Sequence, residues 1–175
     1  NQDGFTLSFT REPVEIPEIE AVRRFLPPYD PENVEFRASR PVSQAVAVLG
    51  GSQYSYFRYQ THLAALNALS VYDQVAREFA SRFGRHHPAV EAYRCEDAEV
   101  VFYMLGAFAT KAQDAVDRLR ESGRRVGLAR PRLLRPYPEA ALRALLLGRR
   151  AVVVVDQNLS LGKGGVHCAE LASAL

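Results

Sequence analysis

Residues 152–171, VVVVDQNLSLGKGGVHCAEL, run from an apolar strand through a turn with three glycines and a lysine into a helical pattern. Strand, glycine turn and helix in that order can cradle a phosphate, because backbone N–H groups and the positive end of the helix face the anion. A Walker loop needs G-x-x-x-x-G-K followed by Ser or Thr, whose hydroxyl holds magnesium. Here Gly164 follows Lys163, and Gln157 stands where the first glycine belongs. A dinucleotide fingerprint, G-x-G-x-x-G, fits Gly162 and Gly164 but puts His167 where a small residue must let helix and strand approach. Its ribose-binding acid, expected about 20 residues on, falls beyond Leu175. Lys163, Gly164 and Gly165 therefore stand as weak candidates for an anion site. The competing reading is a turn that passes close to a neighbouring backbone, which glycine also permits.

No other residues form a catalytic set. His62 lies within a helical stretch, and His86 and His87 follow its glycine stop without a carboxylate or cysteine at ligand spacing. His167 and Cys168 are adjacent, so a helix points them in different directions. Ser8, Ser52 and Ser160 lack the G-x-S-x-G context of a nucleophile elbow. Cys95 and Cys168 are the only cysteines. Far apart, they predict two small buried thiols rather than a disulfide, zinc or iron–sulfur site. The expectation for this chain is no catalytic residue, no metal and no resident cofactor.

The elements that would hold these residues follow from periodicity. Leu63, Leu66, Leu69, Tyr72, Val75, Ala76, Phe79 and Phe83 recur at helical spacing, predicting one apolar face on a helix from Ser55 to Phe83, stopped by Gly84. Asp73, Arg77, Glu78 and Arg82 fall on its solvated side. Residues 99–105, EVVFYML, form a β-rich run of the kind buried on both faces of a parallel sheet, and Gly106 ends it. A helix lined by Phe108, Ala112, Ala115, Val116 and Leu119 ends at Ser122 and Gly123. A strand at 126–129, a helix begun by Pro138 and ended by Gly148, and a strand at 151–155 come next. The order predicts an α/β fold with a mostly parallel sheet and helices on both faces.

Before this domain, residues 1–40 carry Pro13, Pro17, Pro27, Pro28 and Pro31. That density predicts an extended proline-rich arm without regular helix. Its apolar residues, among them Phe5, Ile16, Phe25, Leu26 and Tyr29, are expected to lie against another surface. The domain itself spans 41–175.

With 175 residues and 47% hydrophobic content, the chain can bury one core. The lack of a membrane-length apolar run and of a signal-type N-terminus predicts a cytoplasmic protein without membrane partners. Net charge is +2, but residues 111–175 hold 12 Lys and Arg against 6 Asp and Glu. These cations lack interleaved aromatics, which predicts a solvated or subunit-facing surface and no nucleic acid. The start at Asn1, and a helical pattern still uncapped at Leu175, predict a piece of a longer polypeptide.

The stretches FRYQTHLAALNALSVYDQVAREFASRFGR, VEAYRCEDAEVVFYMLGAF and AVVVVDQNLSLGKGG together resemble the carboxyl-terminal part of the α chain of 2-oxoacid:ferredoxin oxidoreductases, of which pyruvate:ferredoxin oxidoreductase is best known. DGFTLSFTREPVEIP resembles the segment joining the first and second domains of that α chain. EDAEVV, the Val126–Pro138 stretch and DQNLSLG at 156–162 are the most specific pieces.

The resemblance implies a domain like the C-terminal domain of transketolase-type enzymes, truncated at its end. It also implies a complex using thiamine diphosphate, magnesium and iron–sulfur clusters to oxidise a 2-oxoacid, with coenzyme A taking the acyl group and ferredoxin the electrons. The cofactor and cluster sites lie on other domains and subunits, so this chain would serve structure and assembly. Two alternatives are a self-standing module holding an acidic molecule such as coenzyme A at Lys163 and the Arg132/Arg135 region, and the equivalent domain of a 2-oxoacid dehydrogenase β subunit.

Overall fold

The computed structural model describes residues 15–28, 35, 37–43 and 50–175. Its centre is a four-stranded sheet in the order β1-β3-β2-β4. β1 is Val90–Tyr93, β2 Val100–Met104, β3 Val126–Pro131 and β4 Ala151–Val155. β2 runs parallel to both β3 and β4, while β1 pairs antiparallel with β3 at the edge. The mostly parallel sheet agrees with the sequence; β1 is an addition to it.

The helices are α1 (Ile19–Phe25), α2 (Gly51–Phe83), α3 (Phe108–Glu121), α4 (Glu139–Leu146) and α5 (Val166–Ala174). Alternation along β2 divides the core. Val101 and Tyr103 point to one face, among Leu142 and Leu146 of α4 and Leu171 of α5. Val100, Phe102 and Met104 point to the other, beside Ala109 and Val116 of α3. Both faces of β2 are therefore covered, and this explains its unbroken apolar run. Burying Tyr103, Leu128, Leu142 and Leu146 almost completely stabilises the fold by roughly 1.5–3 kcal/mol per side chain.

The connections set the topology. From β2 the chain passes through α3 to β3 on one side; from β3 it crosses through α4 to β4 on the other side of β2. Helices on opposite faces and strands leaving β2 in opposite directions make its carboxyl end a switch point, where open α/β sheets form a crevice.

Three expectations need correction. The segment 1–40 is not free of helix, because Ile19–Phe25 lies between Pro17 and Pro27 with no proline inside it. Of its apolar residues, Phe25 packs edge-on against Phe79 and Phe83 of α2, whereas Ile16 and Leu26 are exposed. Phe5, Phe9 and Tyr29 lie outside the described residues.

α2 begins at Gly51 rather than Ser55 and does not present one apolar face. A residue advances about 100° around a helix, so each step of three falls about 60° short of a full turn. Leu63, Leu66, Leu69 and Tyr72 therefore spiral across half the circumference. Ala76, Phe79 and Phe83 complete the packed stripe with Leu69 and Tyr72, and the Tyr72 hydroxyl donates to the His87 carbonyl at 3.0 Å. Leu63 and Leu66 lie on the opposite side beside Tyr56 and Tyr59, all exposed, with Leu66 at 51%. α2 ends as expected at Gly84, in the left-handed conformation. No helix among the described residues is long and apolar enough to cross a membrane.

Candidate functional site

A crevice of about 880 Å³ opens at the carboxyl ends of β2 and β3. Gly106 and Ala107, leading into α3, form one side of it; Arg130 and Arg132 at the end of β3 form another, and Asn158 and His167 close it. An apolar annex of about 300 Å³, bounded by Met104, Phe108 and Val155, shares Asn158 and His167 with it. Gly106 takes a left-handed turn (φ 72°), which turns the chain from β2 into α3.

One carboxylate organises the arginines. Glu91, on β1, accepts from Arg130 Nε at 3.0 Å, from Arg132 Nη2 at 2.5 Å and from Gln113 Nε2 at 3.1 Å. The β1–β3 register sets Glu91 directly opposite Arg130, and opposite charges facing across an antiparallel pair support the pairing. Arg130 Nη1 also donates to Thr110 Oγ1 in the first turn of α3, at 2.9 Å. Arg130 is thus fully committed, whereas Arg132 is tied through Nη2 alone among the described residues.

Two positive groups against one negative leave a local excess of positive charge. Burial works against ionisation of Glu91, but hydrogen bonds and charge from Arg130 and Arg132 outweigh it and hold the carboxyl below its ordinary range. Burial, followed by the charges of Arg132 and Arg85, likewise holds the His87 imidazole below its ordinary range.

The valine strand and glycine turn form the opposite wall. After β4, Asp156 accepts from the Asn158 N–H at 2.8 Å and from the His167 N–H at 2.8 Å. The Val166 N–H goes to the Asn158 carbonyl at 3.2 Å. The amino end of α5 therefore already holds a carboxylate from its own chain, where a bound phosphate would otherwise sit. Burial opposes ionisation of Asp156, yet the two backbone donors keep its carboxyl below its usual range.

β5 (Leu159–Ser160) and β6 (Gly164–Gly165) form a small antiparallel hairpin that residue spacing did not reveal. Lys163 is exposed near its tip, with its N–H given to the Ser160 carbonyl. Gly164 has a positive φ of 107° and Gly165 runs against Asp156, where a Cβ would come within 3.0 Å of Oδ2. The crevice gathers none of Lys163, Gly164 and Gly165 among its lining residues.

It gathers His167 instead, a residue that enters the motif comparison only as a misfit. The side chain is 8% exposed. Its Nε2 lies 3.1 Å from Asn158 Nδ2, and Nδ1 is buried without a partner among the described residues. His62 and His86 are exposed.

The cysteines separate by environment. Cys95 is buried between β1 and β3, its thiol donating to the Leu128 carbonyl at 3.4 Å, and burial pushes its pKa up. Cys168 is exposed on α5, so the expectation of two buried thiols holds for only one of them. An iron–sulfur cluster takes four thiolates, and these two cysteines do not fit one. Among the described residues no group of three or more His, Cys, Asp and Glu is placed to hold a metal ion.

Residues 98–175 match the family model for pyruvate:ferredoxin oxidoreductase core domain II. The chain is 38% identical to pyruvate synthase subunit PorA of Thermotoga maritima, over all of its own length and 44% of that protein's. It is 35% identical to the PorA of Pyrococcus abyssi, over 99% of its length and 44% of the relative's. Ketoisovalerate oxidoreductase subunit VorA of Pyrococcus horikoshii is 34% identical over 99% of this chain and 44% of its own. The chain thus spans less than half the length of these curated relatives. The family model covers the carboxyl-terminal part of the chain, and the likeness to these subunits runs along almost all of it.

Proposed function

We propose that this chain is an assembly domain of a thiamine-diphosphate-dependent 2-oxoacid:ferredoxin oxidoreductase, with pyruvate as the oxoacid. Similarity to pyruvate synthase and ketoisovalerate oxidoreductase subunits along almost the whole chain supports the enzyme class. In that reaction the oxoacid loses carbon dioxide, its acyl group passes to coenzyme A, and two electrons leave singly for ferredoxin. The thiamine- and cluster-binding partners would supply this chemistry.

The observation that carries the assembly role is the bare side of α2. Tyr56, Tyr59, Leu63 and Leu66 form an apolar stripe left exposed among the described residues, and such stripes mark protein contacts. β4 adds a second open surface. Among the described residues it pairs only with β2, and Val153 and Val155 stay exposed on one of its faces. On this reading residues 1–40 join the domain to a preceding one, 41–175 form a transketolase-C-like unit, and the complex works in the cytoplasm.

The test is reconstitution. The chain alone, given thiamine diphosphate, magnesium, pyruvate, coenzyme A and a one-electron acceptor dye, turns nothing over, whereas the complete complex does. Turnover by the isolated chain would overturn the proposal.

A further inference from the structure

We propose that the crevice at the carboxyl ends of β2, β3 and β4 binds a small organic oxyanion, with Arg132 holding the anionic group and the apolar annex at Phe108 holding the body. This does not depend on the assembly role.

Three independent features meet there. First, the crevice lies at the switch point around β2, outside the strand ends, where open parallel sheets take their ligands. Second, Arg132 is exposed at the crevice and uses one nitrogen on Glu91, so Nε and Nη1 stay available among the described residues. A guanidinium with two adjacent donors matches a carboxylate or phosphate edge. Arg130, locked by Glu91 and Thr110, keeps the local charge positive even after Glu91 is counted. The amino end of α3, entered through Gly106 and Ala107, adds its dipole on the same side.

Third, His167 is more than nine-tenths buried, lines both the crevice and the annex, and leaves Nδ1 without a partner among the described residues. A buried polar atom left unpaired is costly, and a turn of the ring toward a bound group would satisfy it. The annex is walled by Met104, Phe108 and Val155, and the one carboxylate on its lining, Asp156, already accepts from the Asn158 and His167 N–H groups, so the space left suits an apolar or planar body. Charge at one end and an apolar slot at the other select a compact, amphiphilic anion rather than a bare ion.

The experiment follows the histidine ring signals of the full chain by nuclear magnetic resonance at low ionic strength. Inorganic phosphate, ADP, acetate and 2-oxobutyrate are titrated in separately, so that phosphate and carboxylate sources are distinguished. The expected result is a saturable shift of the His167 ring with ADP or 2-oxobutyrate at lower concentration than with the matching bare ion. Arg132→Gln should weaken that binding about tenfold or more. Glu91 keeps Arg130 as a partner in this variant, so the sheet edge is retained. Phe108→Ala should weaken ADP or 2-oxobutyrate while leaving inorganic phosphate and acetate unchanged, and it tests the site independently of Arg132. No saturation with any probe, or affinities untouched by both substitutions, would overturn the site. Equal affinity for the bare ions and the larger probes reduces it to an adventitious ion only and overturns it as well.

Discussion

Glu91 is the residue on which the β3 arginines depend, and acid should expose that dependence. Its carboxyl is held below the ordinary value in the folded chain by Arg130 and Arg132, against the opposing effect of burial. A depressed folded pKa means that the stabilisation is fully present above the unfolded value and is lost as pH falls through the folded one. Glu91→Gln removes the charge and keeps the shape. At neutral pH it should cost about 1–2 kcal/mol, less than the roughly 3–5 of a fully buried pair, because water reaches part of the cluster. Urea unfolding followed from pH about 7 down to about 3 checks the sign. The parent loses stability more steeply than Glu91→Gln, so the gap between them narrows in acid; parallel curves would refute the account. Sequence inspection could not locate this cluster, since Arg130 and Arg132 stand 39 and 41 positions from Glu91. Only the antiparallel register brings them together.

Among the elements, β3 has the least room for change. A Cβ at Gly127 would lie 2.7 Å from the Arg94 carbonyl oxygen, 2.9 Å from Cys95 Sγ and 3.0 Å from Cys95 Cα. Two of those neighbours are backbone, which cannot swing aside. Gly127→Ala should therefore destabilise by about 2–3 kcal/mol, although alanine ordinarily suits a strand better than glycine. Chemical denaturation measures it, and an unchanged midpoint would show that the 94–95 segment can move.

The elements legible in the sequence were those with an apolar run or helical period next to a glycine: β2, α3, β3, α4 and β4 all lie within a few residues of their expected places. β1 escaped because VEAY is short and spends one of its four residues on Glu91. β5 and β6, at two residues each, carry no period at all. The α2 face was misjudged for a geometric reason, since threefold spacing without compensating fourfold steps rotates the stripe. For the site, the strand-to-helix turn pointed to the correct end of the sheet. The residues that face the crevice there are Asn158 and His167 rather than the glycines.

For the whole molecule, the open question is what covers α2, and the answer determines how the domain should behave alone and in company. The packed stripe, Leu69 to Phe83, is engaged with Phe25 and with the chain beyond Gly84. The opposite stripe near the amino end is exposed among the described residues, so charges placed there should leave the domain's stability within about 0.5 kcal/mol of the parent. The double substitution Leu63→Glu, Leu66→Glu separates folding from assembly on that basis. The variant domain should unfold at the same urea concentration as the parent, yet fail to co-purify with the thiamine- and cluster-binding subunits proposed as its partners when expressed with them. Two carboxylates buried against an apolar partner surface would each be strongly penalised. Co-purification at parental yield would mean that the stripe is solvent-facing in the complex and that the exposed face of β4, at Val153 and Val155, carries the contact instead. A lowered urea midpoint would contradict the assignment of Leu63 and Leu66 to the uncovered side.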